Sequence, residues 1–553
     1  MKDYFLDPDS MNIDLILNLM RELHEKFGRY FDLENPRMRN EIDGNYASIL
    51  EREALPEEGS TVNAVFEDLA FYAQGILKWN HHGAMINVNP PPTLPSVAAA
   101  SYVSLYNGNG AQDISCGYLL TTELAVVKMI CQLVGADHKT AGGIFTFGGK
   151  STILHALKHG IQRINPKAID YGIKDEIVTF SSKQGHPCHS EVGGWLGIGE
   201  KNCLHISTDK KGIIDLSELE QELDGALSDN KKVALITANG GTTIQMTIDP
   251  IRAIVNLRDK MVLKYHLDYI PRVHVDSVIG WVYLFFKNYD FKKNYLELSE
   301  TAAAKIQRQL WRIEEIKYAD SFGVDFHKTG FCPYSSSLYM TFDKSEIYAQ
   351  GKQQPIAYEE LEYGNYSPFQ YTLELSRPLN GMVAAYTNLK LLGYRGYQKL
   401  IGQLYNASEC LKSALAKETR FQVINTDNSD SFVTLFIVKE HVDAPSFFKL
   451  DSLNKGELHN FGLYIQKFYL YLLEQQKIGN CWFALDYSSG YQVLSNGIKI
   501  GVLKIYPMSP YFTCEKAIQM VEDLKALLAE FDKISHSFKI KEVPHKPRPF
   551  VFR

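Results

Sequence analysis

Apolar residues near the N-terminus repeat with the period of a helix. Between about 11 and 30, Ile13, Leu17, Met20 and Leu23 fall on one broad face, which predicts an amphipathic helix. A second helix is expected near 63 to 77. The segment from 87 to 96 is expected to be extended, because its prolines break helices. We therefore predict an N-terminal helical arm over residues 1–85.

From about residue 120, strand-like and helix-like patterns alternate. The stretch TTELAVVKMICQLVG predicts a helix that starts at a threonine cap and ends at Gly135. Short apolar runs that predict strands follow it: 143 to 147, 176 to 180, 203 to 207, 233 to 238 and 273 to 277. Helical stretches separate several of these runs. Strands alternating with helices indicate a parallel sheet with covering helices, so we predict a large α/β domain over 86–385.

The pattern changes near residue 385. Long helical stretches, 386 to 417 and 513 to 534, flank two strand-like runs, SFVTLFIV and IKIGVLKIYP. This mixture predicts a small C-terminal α+β domain over 386–553.

Composition narrows the function. The chain is 45% hydrophobic with a net charge of −6, which is typical of a soluble protein and argues against a nucleic-acid-binding surface. The N-terminus lacks the basic start and apolar stretch of a signal peptide, and no membrane span is expected. The eight cysteines contain no CxxC pair, so we expect reduced thiols, no metal site and a cytoplasmic location.

Two polar residues at predicted strand ends suggest cofactor chemistry. Lys328 lies in DFHKTG, between a strand-like run and a glycine turn. A lysine that attacks an aldehyde must lose its proton, and burial beside positive groups would lower its pKa. Asp276 ends the run VHVDS, where an acid is costly to bury without a partner such as a pyridinium nitrogen. Taken alone, a surface lysine is the simpler explanation of Lys328, and a strand-end cap explains Asp276 equally well.

Three further segments end strands in the same order along the chain. Gly148 and Gly149 precede a small polar run that opens a helix, which is a pattern typical of phosphate binding or of a plain capped turn. His186 and His189 are both candidates to stack on a flat ring, although a lone histidine is more often structural. Thr243 ends a later strand. Because ligands of open α/β sheets bind at the carboxyl ends of strands, all these segments should meet in one crevice.

In this arrangement the chain resembles the group II pyridoxal-5'-phosphate (PLP)-dependent amino acid decarboxylases from about residue 80 to about 510. The resemblance implies the α/β fold of fold-type I PLP enzymes and a homodimer with sites at the subunit interface. It implies a Schiff base on Lys328, with Asp276 at the pyridine nitrogen. His186, rather than His189, matches the ring-stacking histidine. Thr243 matches a position near the ring hydroxyl, and His327 and Ser321 match positions near the phosphate.

The phosphate turn departs from the family pattern. The family has GG followed by a hydroxyl residue, whereas this chain has GGKSTI, with Lys150 in the hydroxyl position and Ile153 in place of an asparagine. Ser151 and Thr152 remain candidates for phosphate contact, and Lys150 would add a positive charge there. Ser277 and Val278 also replace the usual pair of alanines after Asp276.

The segment after Lys328 bears on the reaction and the substrate. The turn KTGFCPYSSSLY is similar to tyrosine, aspartate and bacterial glutamate decarboxylases and to sphingosine-phosphate lyases. Arg377 is either a carboxylate-binding residue for the substrate or part of a structural salt bridge. Tyr358 and Tyr363 are candidates for the loop tyrosine that returns a proton to the substrate, and both are also explained as ordinary surface tyrosines. We expect an L-amino acid decarboxylase. The alternatives are an aldehyde-releasing carbon–carbon lyase and a non-catalytic scaffold.

Overall fold

The protein's arm, sheet and C-terminal elements follow the order that the sequence predicts. A computed structural model describes residues 4–41, 46–426, 429–494 and 496–539. The helices are α1 Ile13–Gly28, α2 Tyr46–Leu50, α3 Val62–Tyr72, α4 Leu94–Leu105, α5 Asp113–Cys116, α6 Thr121–Val134, α7 Gly149–Ile164, α8 Ala168–Tyr171, α9 Cys188–Trp195, α10 Leu216–Ser228, α11 Ile251–Tyr265, α12 Glu300–Ile313, α13 Ser345–Gln350, α14 Asn380–Ala416, α15 Lys455–Lys477 and α16 Cys514–Ile534.

The strands form two sheets. They are β1 Gly142–Thr146, β2 Ile177–Ser182, β3 Cys203–Ile206, β4 Lys232–Asn239, β5 Arg272–Asp276, β6 Ser321–Asp325, β7 Ser337–Thr341, β8 Phe421–Val423, β9 Thr434–Val438, β10 Asp486–Val493 and β11 Lys499–Ile505. The first seven form one sheet in the order β1-β7-β6-β5-β4-β2-β3, and the last four form a second sheet in the order β10-β11-β9-β8.

The large sheet is mostly parallel. Strands β3, β2, β4, β5 and β6 pair parallel to one another, and β7 pairs antiparallel to both β6 and β1. Every residue of β5 and β6 is buried, as expected for central strands covered by helices on both faces. This topology confirms the predicted fold class. It also brings the carboxyl ends of β4, β5 and β6 side by side.

Helix α7 packs against the middle of this sheet. Its contact with β4 is so close that a Cβ on Gly160 would lie 2.2 Å from the carbonyl oxygen of Ala234. The helix begins at Gly149, after Gly148 with φ 150°. Because that φ lies in the region that favours glycine, the turn depends on a residue without a side chain. The N-terminus of α7 therefore sits beside the strand ends at a fixed distance.

Four local expectations need correction. Helix α4 starts at Leu94, inside the segment predicted to be extended, because Pro95 occupies its first turn, where proline is tolerated. Helix α6 has no side-chain cap, since Thr121 is already helical. The helix predicted over 386 to 417 starts six residues earlier, since α14 begins at Asn380 and bends at Gly393. The expectation of reduced cysteines is wrong for one pair, since Cys410 and Cys514 join α14 to α16 in a disulfide.

One stretch, Asp113–Val134, is long and apolar enough to cross a membrane by length and composition, which the sequence analysis did not expect. In the fold it consists of α5, a 3₁₀ turn and α6 rather than one helix. Its two acids, Asp113 and Glu123, are buried, and both bond to the chain near residue 366. These contacts are those of a core helix in a folded domain.

Candidate active site

A cavity of about 170 Å³ opens where β4, β5 and β6 end and α7 begins. Of the residues singled out from the sequence, those lining it are Gly149, Lys150, His186, Thr243, Asp276, His327 and Lys328. The cavity is also lined by residues that the sequence analysis did not single out as site residues: Cys188, Asn239, Gly241, Thr242, Ile279, Asp325 and Tyr334, together with Ile153 and Val278 at the departures from the family pattern. The predicted convergence of separate strand ends in one crevice therefore occurs.

Lys328 follows β6 by one short turn. Its Nζ lies 2.9 Å from Oδ2 of Asp325, the fully buried last residue of that strand. Burial alone would lower the pKa of Lys328, but the negative charges of Asp325 and Asp276 outweigh it and raise the pKa. The expected lowering by positive neighbours is therefore wrong for this state of the site, because the groups nearest to the amine are carboxylates. Asp325 Oδ2 is placed to accept a proton from Lys328.

Asp276 ends β5 and is only 9% exposed. Its Oδ2 lies 3.3 Å from Nε2 of His189, and its Oδ1 is buried without a hydrogen-bond partner. Burial would raise the pKa of this carboxyl. The hydrogen bond and charge of His189, together with the charge of Lys328, lower the pKa to about 2 instead. The result is an ionised carboxylate with one unused acceptor atom beside the cavity.

His186 precedes α9 and faces the same cavity. Its Nδ1 accepts a hydrogen bond of 3.2 Å from the backbone N–H of Cys188, which fixes the ring. Burial, assisted by the positive charge of Lys328, lowers the pKa of His186 to about 4, so the ring is neutral near pH 7. A neutral, oriented imidazole is suited to lie against a flat aromatic group.

The backbone of the glycine turn passes close to Asp325, the carboxylate that pairs with Lys328. A Cβ on Gly149 would lie 2.7 Å from Oδ2 of Asp325, so only glycine fits there without a shift. Ser151 and Thr152 are buried and bond within the turn, to the carbonyl oxygens of Gly148 and Gly149. Neither hydroxyl lines the cavity. A phosphate at this turn would therefore be bound by the backbone N–H groups at the start of α7, as at other helix N-termini.

Lys150 points its ammonium toward α9. It pairs with Glu191 and lies 4.3 Å from the ring centre of Trp195. Its charge is thus partly neutralised beside the cavity. The expected extra positive charge is present, and its partners come from the helix that follows His186.

Thr243 and His327 line the cavity, whereas Ser321 does not. Ser321 is the first residue of β6, at the opposite end of that strand, and its Oγ bonds to Arg272 Nε at 3.0 Å and His274 Nδ1 at 2.9 Å. The expectation that Ser321 lies near the phosphate is wrong, because a full strand separates it from the crevice.

Arg377 also lies away from the cavity. It is 4% exposed and pairs with the fully buried Glu123, with further bonds to the carbonyl oxygens of Gly110 and Phe145. Of the two explanations offered by the sequence, the structural salt bridge is the one found. Arg377 has no free face for a substrate carboxylate.

The two loop tyrosines are outside this cavity as well. Tyr358 begins a short 3₁₀ turn and packs edge-on against His138, at 4.9 Å between ring centres. Tyr363 is 54% exposed and lies near Tyr118. Within one chain neither tyrosine lines the cavity that holds Lys328. The predicted return of a proton to the substrate by either tyrosine would therefore have to occur at the cavity of another chain.

Tyr334 and Asp325 are two of the cavity residues that were not predicted from the sequence. The ring of Tyr334 packs against that of His327 in a tilted arrangement, at 4.2 Å between ring centres, and its hydroxyl donates to Asn89 Oδ1 at 2.6 Å. The signals were present, since Asp325 lies three residues before Lys328 and Tyr334 follows the proline of the turn. Without the fold, an acid and a tyrosine in a turn look like ordinary surface residues.

The family model of the pyridoxal-dependent decarboxylase conserved domain matches residues 45–280 and 302–437, more than half of the chain. The chain belongs to this family. A segment of 158 residues is 28% identical to the acidic amino acid decarboxylase GADL1 of Xenopus tropicalis, covering 28% of this chain and 30% of that protein. A segment of 294 residues is 24% identical to L-2,4-diaminobutyrate decarboxylase of Rhizobium meliloti, covering 53% and 52%. The matches thus span about half or less of these relatives.

Solved structures agree on the fold of this pyridoxal-dependent decarboxylase family member. Mouse CSAD has a TM-score of 0.74 at 15% identity, over 93% of this chain and 98% of its own. The glutamate decarboxylase domain structure from Vibrio parahaemolyticus has a TM-score of 0.73 at 17% identity, over 96% and 98%. At these identities the likeness shows the fold alone.

Pyridoxal phosphate, the cofactor of this family, fits the residues at the site. The unpartnered Oδ1 of the ionised Asp276 is an acceptor for a pyridinium N–H. Lys328 would be the amine for the aldehyde, and the N-terminus of α7 would offer N–H groups to the phosphate. His186 lines the same cavity with a neutral ring. The altered GGKSTI turn does not prevent this fit, because its contribution comes from the backbone.

Proposed function

We propose that this protein is a PLP-dependent carboxy-lyase that converts an L-amino acid to its amine and CO₂. The observation that carries the proposal is the cavity shared by Lys328 and Asp276, in which the carboxylate keeps an unpaired oxygen. A lysine and an ionised acid with one unpaired oxygen in the same cavity match the aldehyde and the ring nitrogen of a pyridoxal ring. Membership of the decarboxylase family supports the reaction type.

When bound, pyridoxal phosphate supplies an electron sink for the bond to the substrate carboxylate. The protein's own residues bind and orient. With the cofactor bound, Asp276 Oδ1 would hold a proton on the ring nitrogen, and the neutral ring of His186 would be available to lie against the cofactor ring. Lys328 must give up a proton before it can bond to an aldehyde, and Asp325 Oδ2, at 2.9 Å, is the nearest acceptor. Thr243 and the first turn of α7 complete the walls.

Aspartate, glutamate, tyrosine and diamino acids are the candidate substrates. The relatives named for acidic amino acids and for diaminobutyrate support the two acidic amino acids and the diamino acids. Tyr334 lines the cavity and donates a hydrogen bond to Asn89, and it is a polar group that a substrate side chain would meet. None of the relatives or structures reported above favours an aldehyde-releasing lyase.

The decisive experiment combines labelling with a substrate panel. Borohydride treatment of the cofactor-loaded protein should fix the cofactor on the peptide that contains Lys328. Lys328→Ala should abolish the label, whereas Lys150→Ala, which removes the other lysine of the cavity, should keep it at saturating cofactor. CO₂ release is then scored for the twenty amino acids, diaminobutyrate and ornithine. Label on another lysine, or no CO₂ from any substrate, would contradict the proposal.

We also propose that the active unit is a homodimer with sites at the subunit interface. Helix α1 has no buried residue, and Leu17 and Met20 on its apolar face are 49% and 51% exposed. An amphipathic helix normally buries that face, but the described part of the single chain leaves these two side chains uncovered. A second subunit would supply the cover. It would also bring a loop tyrosine, Tyr358 or Tyr363, to the neighbouring cavity.

Mixing variants tests this arrangement. Lys328→Ala lacks the lysine, and a Tyr358→Phe or Tyr363→Phe protein lacks the loop hydroxyl. If the tyrosine acts across the interface, a refolded equal mixture should regain about one quarter of wild-type activity, since half of the dimers are mixed and each has one intact site. A mixture no more active than its parents, or a monomer by light scattering, would contradict it.

The cytoplasmic location is likewise a proposal. The Cys410–Cys514 disulfide weighs against it, because disulfides are rare in proteins of the reducing cytosol.

A further inference from the structure

His189 contacts Asp276, the acid of the candidate active site, without lining the cavity. It is the second residue of α9, 5% exposed, and its Nε2 lies 3.3 Å from Asp276 Oδ2. His189 is not among the residues that line the cavity, whereas His186, three positions earlier, is. The resemblance to the decarboxylases assigns a role to His186 and leaves His189 without one.

This contact divides the two oxygens of the carboxylate. Oδ2 is occupied by His189, and Oδ1 is buried without a partner. A carboxylate held at one oxygen can no longer turn freely about its Cβ–Cγ bond. The unpaired oxygen therefore keeps a defined direction, which is what an acceptor for a single ring N–H requires.

We propose that His189 is a positioning residue for the cofactor. It donates Nε2–H to Asp276 Oδ2 and so presents Oδ1 to the ring nitrogen of pyridoxal phosphate. The inference rests on the proposed function, because it assumes that the ring nitrogen faces Asp276. It assigns to this chain a His–Asp pair in which the histidine touches neither the cofactor nor the substrate.

A neighbouring histidine provides a matched control. His205 lies on β3, and its ring bonds to Ser190 at 2.7 Å and to Ser181 at 3.1 Å. Ser190 directly follows His189, so both histidines anchor the same turn of α9. No described contact joins His205 to Asp276. A loss specific to the His–Asp pair should appear at His189 and not at His205.

The experiment measures cofactor binding by the full chain. Apoprotein is titrated with pyridoxal phosphate, and the Kd is obtained from equilibrium dialysis for wild type, His189→Leu, His189→Gln, His189→Asn and His205→Asn. His189→Leu should raise the Kd about tenfold, as expected for loss of a hydrogen bond to a charged group. His189→Gln, whose amide can reach Asp276, should stay within about threefold of wild type, and His205→Asn should match it.

Two further readouts separate positioning from a general structural effect. In an Asp276→Asn background, His189→Leu should cause no further rise in Kd, because its effect passes through the carboxylate. With cofactor labelled by nitrogen-15 in the ring, His189→Leu should shift the resonance toward that of an unprotonated pyridine. If the leucine variant does not fold, His189→Asn, whose amide is too short to reach, carries the same test against His189→Gln.

The inference is overturned if His189→Leu, or His189→Asn in its place, binds the cofactor as tightly as wild type with an unchanged nitrogen resonance. An equal loss in the Asp276→Asn background would also overturn it, because the histidine would then act only on the fold. A wild-type protein that binds the cofactor but releases no CO₂ contradicts the decarboxylase proposal alone. A wild-type protein that does not bind pyridoxal phosphate contradicts both.

Discussion

Removing the buried carboxylate at Glu123 should destabilise the protein strongly. Glu123 is fully buried in α6 and accepts hydrogen bonds from three sources. The guanidinium of Arg377 pairs with it, the backbone N–H of Phe145 donates at 2.8 Å, and the hydroxyl of Tyr366 donates at 2.7 Å. These contacts join α6 and β1 to the segments that contain Tyr366 and Arg377.

The size of the effect follows from what Glu123→Ala leaves behind. Arg377 would keep only two carbonyl acceptors, at 3.2 Å and 3.3 Å, for a charge that is 4% exposed. Breaking a buried ion pair by removing one partner typically costs about 3–5 kcal/mol. Two more donors lose their acceptor, but these losses share one site and do not add independently. We therefore expect a loss of about 3–5 kcal/mol in the free energy of unfolding.

Equilibrium urea unfolding, followed by tryptophan fluorescence, measures this loss. Glu123→Gln keeps an acceptor of the same size without the charge and should lose less, about 1.5–3 kcal/mol. The double variant Glu123→Met with Arg377→Met removes both charges and should recover much of the loss, because no unpaired ion remains.

A free energy of unfolding for Glu123→Ala within about 0.5 kcal/mol of wild type would refute this reasoning. It would mean that Arg377 does not depend on Glu123 and is available for another role. Arg377→Lys would then be expected to raise KM for substrate without lowering stability. That outcome would revive the interpretation of Arg377 as a binder of the substrate carboxylate.

Three other predictions test separate features. Thiol titration of the denatured protein should find six free thiols before reduction and eight after it, and eight thiols before reduction would contradict the Cys410–Cys514 pairing. Replacing Cys410 or Cys514 with serine should lower the free energy of unfolding by up to about 4 kcal/mol, because the disulfide closes a loop of 104 residues. Burial lowers the pKa of His155 to about 4, so between its ordinary 6.5 and about 4 only the unfolded chain takes up that proton, and this group should lower stability by about 1.4 kcal/mol per pH unit as the pH falls. Because burial also lowers the pKa of other histidines such as His186, which contribute in the same way, His155→Leu should reduce the total slope in urea unfolding by about that amount, and an unchanged slope would count against it. Gly149→Ala would bring a Cβ to 2.7 Å from Asp325 Oδ2 and should weaken cofactor binding in dialysis at nearly unchanged stability, whereas wild-type binding would show that the turn can yield.

Much of the fold could be predicted from the sequence because its signals are local. Central strands such as β4 contain short apolar runs, and the helices between the strands carry their own periodicity. The rule that ligands bind at strand carboxyl ends then placed Lys328, Asp276 and His186 together from sequence order alone. The position of Ser321 near the phosphate was expected from the family resemblance instead, and that expectation is wrong because Ser321 begins β6, at the end of the strand away from the crevice.

The sequence by itself determined the alternating α/β pattern, the strand ends and therefore the principal residues of the cavity, since periodicity and chain order are properties of neighbouring residues. Only the tertiary structure decided which charges meet. Arg377 finds Glu123 across 254 residues, and His189 rather than His186 holds the carboxylate of Asp276. Such pairings depend on how helices pack against the sheet, and no local pattern encodes a contact between segments that lie far apart along the chain.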